Sequence, residues 1–207
     1  MYSNLPNLVL AFHGCDEETY KKVLYNHEPL LPSINSYDWL GNGIYFWENG
    51  FSRAQDWAKE YCERKNKKYP NEKKRKPAVI GAVIALGHCL NLTDYGSSEV
   101  LKTVHKILTY EFKLHGKELP KNKNIKGNSD ILLRELNCAV IQRIHQYNSE
   151  SGNKCYDSVR GVFVEGKPVY PTSGIREKSH VQLCIVNPNC IKGYFSPLEP
   201  DNNWGMV

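Results

Sequence analysis

The longest apolar stretch in the chain, Ala78 to Gly87, has ten residues, and its length decides what it can become. It is about half of what a membrane-spanning helix needs. A continuous apolar run of that size ended by glycine reads as a strand, Ala78 to Leu86, buried on both faces. Such a strand needs neighbours and covering layers, so a central sheet with helices packed on it is expected. Leu8 to Phe12 is too short for the apolar core of a signal peptide and follows no basic run. Neither membrane nor secretion is expected, and the chain is assigned to the cytoplasm.

The flanking pattern fills in the layers. Asn7 to His13 reads as a strand and Asp16 opens a helical pattern that ends before Pro29. Ile44 to Trp47 is a short aromatic strand, followed by a helix from Ser52 to about Lys65 with Ala54, Trp57, Ala58 and Tyr61 on one stripe. Two longer amphipathic helices are expected, Ser97 to Leu114 and Ser129 to Tyr147, with Ser97 and Ser129 as caps. The chain then returns to strands at Val159 to Glu165, Val181 to Val186 and Ile191 to Phe195. Strands grouped apart from helices predict an α+β fold. The 207 residues, 41% hydrophobic and 24% charged, suit one compact domain over 1–207 and exclude global disorder.

Seven cysteines without a CxxC pair read as reduced intracellular thiols rather than a disulfide framework. His180, Cys184 and Cys190 lack the paired spacing of a tetrahedral zinc site, so no metal is expected. There is no GxxxxGK[ST], HExxH or GxGxxG, which removes the P-loop, zincin and dinucleotide-fold motifs.

Charge is unevenly spread. The net is +5, yet Arg64 to Lys76 carries +7 and Lys113 to Lys126 carries +4, leaving −6 for everything else. Both segments contain Pro, Asn or Gly and read as loops. They are either solvated connectors or a footprint for a polyanion.

Three patches put polar residues into β-like runs: Phe12-His13-Gly14-Cys15, Leu40-Gly41-Asn42-Gly43-Ile44-Tyr45-Phe46 and His180-Val181-Gln182-Leu183-Cys184. Taken singly, each His or Tyr is most simply a structural side chain. Taken in order, the set resembles the ADP-ribosyltransferase superfamily on its His-Tyr-Glu branch, which includes the poly(ADP-ribose) polymerases and many bacterial toxins. The densest part is Gly41 to Phe46 followed by Ser52-Arg53-Ala54, similar to the family's Gly-x-Gly-Ile-Tyr-Phe strand and the helix after it. His13-Gly14-Cys15 resembles the His-Gly-(Ser/Thr) strand with Cys in the hydroxyl position. Gln182 to Asn187 resembles the last motif, with Gln182 where the family usually has Glu. The match is dense over about 40 residues and looks close to uncharacterised bacterial members, some of them toxin or phage-defence proteins.

The resemblance implies a split, mainly antiparallel β core and an enzyme that transfers ADP-ribose from NAD to a macromolecule, with nicotinamide released. His13 would hold the adenosine ribose, and the Gly14 backbone the carboxamide. Cys15 would lie beside them in the NAD site. Tyr45 would stack on nicotinamide, as aromatic faces favour flat cations. Arg160 and Arg176, with Lys178, are either ligands for the pyrophosphate, which planar guanidinium suits, or members of exposed ion pairs. Breaking the N-glycosidic bond leaves an oxocarbenium-like ribose, so positioning and charge stabilisation matter more than proton donation.

Gln182 departs from that pattern, because an amide hydrogen-bonds but cannot act as a base. Chain elongation is therefore not expected, and another carboxylate, Glu165 or Glu48, becomes a candidate catalytic group beside Tyr45 and Gln182. The alternatives are an NAD glycohydrolase, or an inactive module binding NAD, ADP-ribose or RNA. Base amines attack without a strong base, so the charged segments point to RNA as acceptor before protein, with an antitoxin or other inhibitory partner conceivable from the toxin resemblance. Cys15 shares a strand face with His13, which also admits a Cys/His nucleophile, but no third orienting group is evident.

Overall fold

The structure is a computed structural model that describes residues 8–124, 130–198 and 203. The fold is α+β. Strand β1 (Val9–Asp16) leads into helix α1 (Glu17–Leu24), whose first turn is capped by the Asp16 carboxylate accepting from the Thr19 N–H at 2.9 Å. Then come β2 (Ile44–Glu48), α2 (Phe51–Lys68), β3 (Pro77–Ile84), β4 (Cys89–Asn91) and α3 (Ser97–Leu114). The two-residue strands β5 (Asn122–Lys123) and β6 (Leu133–Arg134) pair with each other ahead of α4 (Glu135–Glu150). Strands β7 (Ser158–Phe163), β8 (His180–Ile185) and β9 (Ile191–Phe195) complete the chain.

Seven strands form one sheet in the order β4, β7, β8, β2, β1, β3, β9, antiparallel throughout except for the parallel pair of β4 with β7. Strand β3 is the apolar run singled out from the sequence, and its two faces serve different cores. Ile80, Ala82 and Ile84 join Ala11, Phe46 and Leu183 under α1, while Val79 joins Trp47 and Ala54 under α2. A third cluster places Val104 and Leu108 of α3 and Ile141 and Ile144 of α4 against Leu40, Val159 and Cys184. Helix α2 approaches β1 most closely, because it presents Ala54 and Ala58, both fully buried, at the i, i+4 spacing of one face.

Three expected elements shift. Helix α2 continues to Lys68, so the first basic segment is in part a helix end rather than a loop. Helix α4 starts at Glu135 rather than Ser129: the Asn122 side-chain oxygen accepts from the N–H of Leu136 at 3.0 Å and Asn137 at 3.3 Å, a cap brought from 14 residues away. Ser129, the expected cap, and Lys126 lie outside the described residues. Ser97 does not cap α3 with its side chain; its hydroxyl donates to the Asn91 carbonyl at 2.7 Å.

Candidate active site

The site is a seam in the sheet. Strands β1 and β2 pair at Ala11 with Glu48 and at Phe12 with Trp47, and their ladder then stops. Beyond that point His13 bridges the gap, its Nδ1–H donating to the Tyr45 carbonyl at 2.8 Å. A carbonyl only accepts, so Nε2 is the lone-pair nitrogen of the ring. Burial lowers the His13 pKa, partly offset by that hydrogen bond, and keeps the ring neutral. A cavity of about 360 Å3 opens at the seam, lined by His13, Gly14, Tyr45, Trp47 and Gln182 among others. Residues separated by 32 and 137 positions thus share one cleft.

Tyr45 is fixed from both ends. Its hydroxyl donates to the Gly41 carbonyl at 2.8 Å and accepts from the Leu40 N–H at 3.0 Å, while its ring packs against the cluster under α4. Gly41 adopts φ +84 to make this turn, a conformation that favours glycine. Burial pushes the phenol far above its ordinary pKa, so Tyr45 offers a neutral aromatic surface. Gly14 has a different reason to be glycine from the expected one. A Cβ there would lie 2.2 Å from the Ala54 carbonyl oxygen, so the close neighbour that demands it is α2.

Gln182 has a fixed orientation. Its Oε1 accepts from the Trp39 indole N–H at 2.5 Å, and since that N–H can only donate, the amide turns its NH2 group the other way. Gln182 therefore presents donors rather than a free carbonyl oxygen. Trp39 itself is held edge-on to Phe163, with the Arg134 guanidinium over both rings.

A second cavity of about 250 Å3 adjoins the first and shares Trp47, Trp57, Arg64 and Gln182 with it. Its remaining walls include Arg53, Glu60, Glu165 and His180. Glu165 pairs with Arg53 at 3.1 Å, both side chains largely shielded from water. Arg53 Nε and Nη1 and the Trp47 indole N–H are buried without a hydrogen-bond partner, each at a cost of about 1–3 kcal/mol. Trp47 lines both cavities and Arg53 the second.

Five expected site residues, Cys15, Arg160, Glu48, Arg176 and Lys178, lie elsewhere. Cys15 is 4% exposed in the core under α1, and burial with the neighbouring Asp16 charge pushes its thiol up to about 12. It neither lines the cavity at the seam nor supplies a thiolate. Arg160 pairs with Glu48 at 2.6 Å and also donates to Asn91 and Thr93. Both belong to the other face of the sheet: Arg160 is in register with Leu183 and Glu48 with Ala11, each one position removed from the cleft-facing Gln182 and Trp47. Arg176 donates to the Gly166 carbonyl at 3.1 Å and braces the segment between β7 and β8. Lys178 pairs at 2.8 Å with Glu60, which lines the second cavity.

The sequence reading missed Trp39, Arg53 and Arg64. Trp39 sits in a loop and carries no periodic signal. The other two were accessible: Arg53, Trp57, Glu60 and Arg64 follow an i, i+4, i+7, i+11 spacing, one face of α2, adjacent to the stripe that packs on β1. His180, Cys184 and Cys190 do not converge, since Cys184 and Cys190 belong to cores on opposite faces of the sheet. Among the described residues no group of three His, Cys, Asp or Glu is placed to hold a metal ion, and no helix is long and apolar enough to cross a membrane.

The chain is 28% identical over 199 residues to an uncharacterized protein of Methanocaldococcus jannaschii, with 87% of this chain and 83% of that protein covered. No protein-family model matches the chain. No solved structure matches it either.

Proposed function

We propose that the chain is a mono-ADP-ribosyltransferase that takes ADP-ribose from NAD in the cytoplasm, releases nicotinamide, and passes the sugar to RNA in preference to protein. The observation that carries this reading is the meeting of His13, Gly14, Tyr45 and Gln182 in one cavity at the seam between β1 and β2. In it, His13 Nε2 accepts from a ribose hydroxyl, the Gly14 backbone holds the carboxamide and the Tyr45 ring stacks on nicotinamide. As the glycosidic bond breaks, its electron pair leaves with nicotinamide and positive charge grows on the ribose beside aromatic faces, which favour it. The amide of Gln182 donates to the nicotinamide-ribose hydroxyl. Arg64, which lines both cavities, replaces Arg160 and Arg176 as the pyrophosphate ligand. Glu165 stands on the acceptor side with Arg53.

An RNA acceptor is supported by continuity of charge. Arg64 is at the cleft, and Lys65, Lys67 and Lys68 extend along α2 away from it, with Lys65 and Lys68 over the Tyr69 ring. A phosphate backbone following this track is drawn electrostatically and ends at the second cavity. The donor-only Gln182 favours a second reading, NAD hydrolysis or NAD binding without turnover. Incubation of the protein with ADP-ribose-labelled NAD and separate pools of RNA, DNA and protein decides between them. Label in RNA is the expected outcome; nicotinamide release without label transfer establishes a hydrolase, and NAD binding without release an inactive module.

A further inference from the structure

Gln182 turns donors toward the cleft, so the group that takes the acceptor's proton must come from elsewhere in the adjoining cavity. His180 and Gln182 are two positions apart on β8 and project to the same face. The His180 ring lines the second cavity, stacked on Phe163 at 5.2 Å and 11° and tilted against Trp47. Its Nδ1–H donates to the Lys178 carbonyl at 2.7 Å. That bond selects the tautomer whose Nε2 carries the lone pair, and Nε2 makes no hydrogen bond among the described residues.

We infer that His180 is the general base of the transfer step, accepting at Nε2 the proton of the attacking RNA amine or hydroxyl; this rests on the transferase reading above. The bond to nicotinamide breaks first, its electron pair leaving with nicotinamide, and the lone pair of the acceptor nitrogen or oxygen then forms the new bond to the ribose C1′. The acceptor proton goes to Nε2, and the imidazolium later releases it to water. Glu165 is the weaker candidate, since the Arg53 guanidinium already compensates its charge at 3.1 Å. It acts instead as a fixed counter-charge for the imidazolium that forms. Burial lowers the His180 pKa, the hydrogen bond to the Lys178 carbonyl and Glu165 oppose it, and Arg53 and Arg134 act in the same direction as burial, so the neutral ring has a free lone pair to accept a proton near pH 7. The charged groups facing it are Arg53, Glu60 and Arg64 from α2, Arg134 from β6, Glu165 beyond β7, and Lys178 on its own side.

The test measures two rates with the full chain: nicotinamide release from NAD, and label transfer to a random-sequence single-stranded RNA pool, each from pH 5 to 9. In the wild type, transfer is expected to fall at low pH with a one-proton limb whose midpoint lies below the ordinary imidazole value. His180→Gln is expected to lose transfer about tenfold or more at pH 7 and to lose that limb, while nicotinamide release stays within about threefold. If His180→Gln does not fold, the midpoint of the wild-type limb is compared with the His180 titration followed by NMR of 15N-labelled imidazole. Agreement within half a unit supports the assignment, and a larger gap overturns it. A limb or a transfer rate that survives in His180→Gln also overturns it, as does NAD consumption with no label on RNA. By contrast, wild-type protein that releases no nicotinamide, or a folded Tyr45→Ala that releases it unimpaired, refutes the transferase reading itself.

Discussion

The cavity at the seam and the cavity beside it share a wall, yet they are built by different means. The first is centred on strand: His13 and Gly14 of β1, Tyr45 and Trp47 of β2 and Gln182 of β8 surround a gap in the β1–β2 ladder with one histidine across it, and the loop before β2 with Trp57 and Arg64 of α2 closes it. The second is made of parts far apart in sequence, a face of α2, the residue past β7 and the start of β8. Strand register fixes the strand residues of the first to within a residue. The second depends on how a helix, an ion pair and a loop settle together, so charge carries more of its stability and its chemistry.

The largest effect expected from a single change falls on the strand-built side. Gly14→Ala drives a methyl into the Ala54 carbonyl, and because the obstacle is backbone it is expected to cost about 3 kcal/mol or more. Thermal unfolding reads it, and an unchanged midpoint would mean that α2 is not seated on β1 as described. On the second side, Arg53→Met leaves the largely shielded Glu165 carboxylate without its partner, a loss of about 2 kcal/mol on the scale of broken shielded pairs. Denaturant titration of Arg53→Met and of the double variant Arg53→Met/Glu165→Leu separates the pair from the packing. The double variant is expected to recover much of the loss.

A smaller effect probes the shared wall. Trp39→Phe removes the indole N–H that fixes Gln182 and is expected to change nicotinamide release by about fivefold, the scale of one hydrogen bond of about 1 kcal/mol. No change would show that the orientation of Gln182 does not matter to the first cavity. The smallest effect belongs to the basic segment. Replacing Lys73, Lys74 and Lys76 with Gln is expected to weaken RNA labelling by a few fold and to flatten its dependence on salt. Arg75 is omitted because it is tied to Asp16 at 2.8 Å and braces the entry to α1. An unchanged salt slope would reduce these lysines to solvated connectors and favour a protein acceptor.

What could be read from the sequence follows the same division. The apolar run of β3, the glycine turn before β2 and the three polar patches are local patterns, and each fixes an element or a strand face on its own. Glu48 is excluded from the cleft by the same local logic, since its odd separation from Tyr45 places it on the opposite face of β2. The partners of Arg160, Arg53 and Trp39 lie 112, 112 and 143 positions away, and no local pattern announces them. The start of α4 was misplaced for the same reason, because its cap, Asn122, comes from outside the helix.

The central claim is that the seam between β1 and β2 binds NAD and breaks its glycosidic bond against Tyr45. It is tested most directly by the rate of nicotinamide release from NAD by the wild type and by Tyr45→Ala, each shown to be folded by circular dichroism. The account requires measurable release by the wild type and a loss of at least about fivefold in the variant, equivalent to about 1 kcal/mol of aromatic contact. Equal release by the two folded proteins would contradict it.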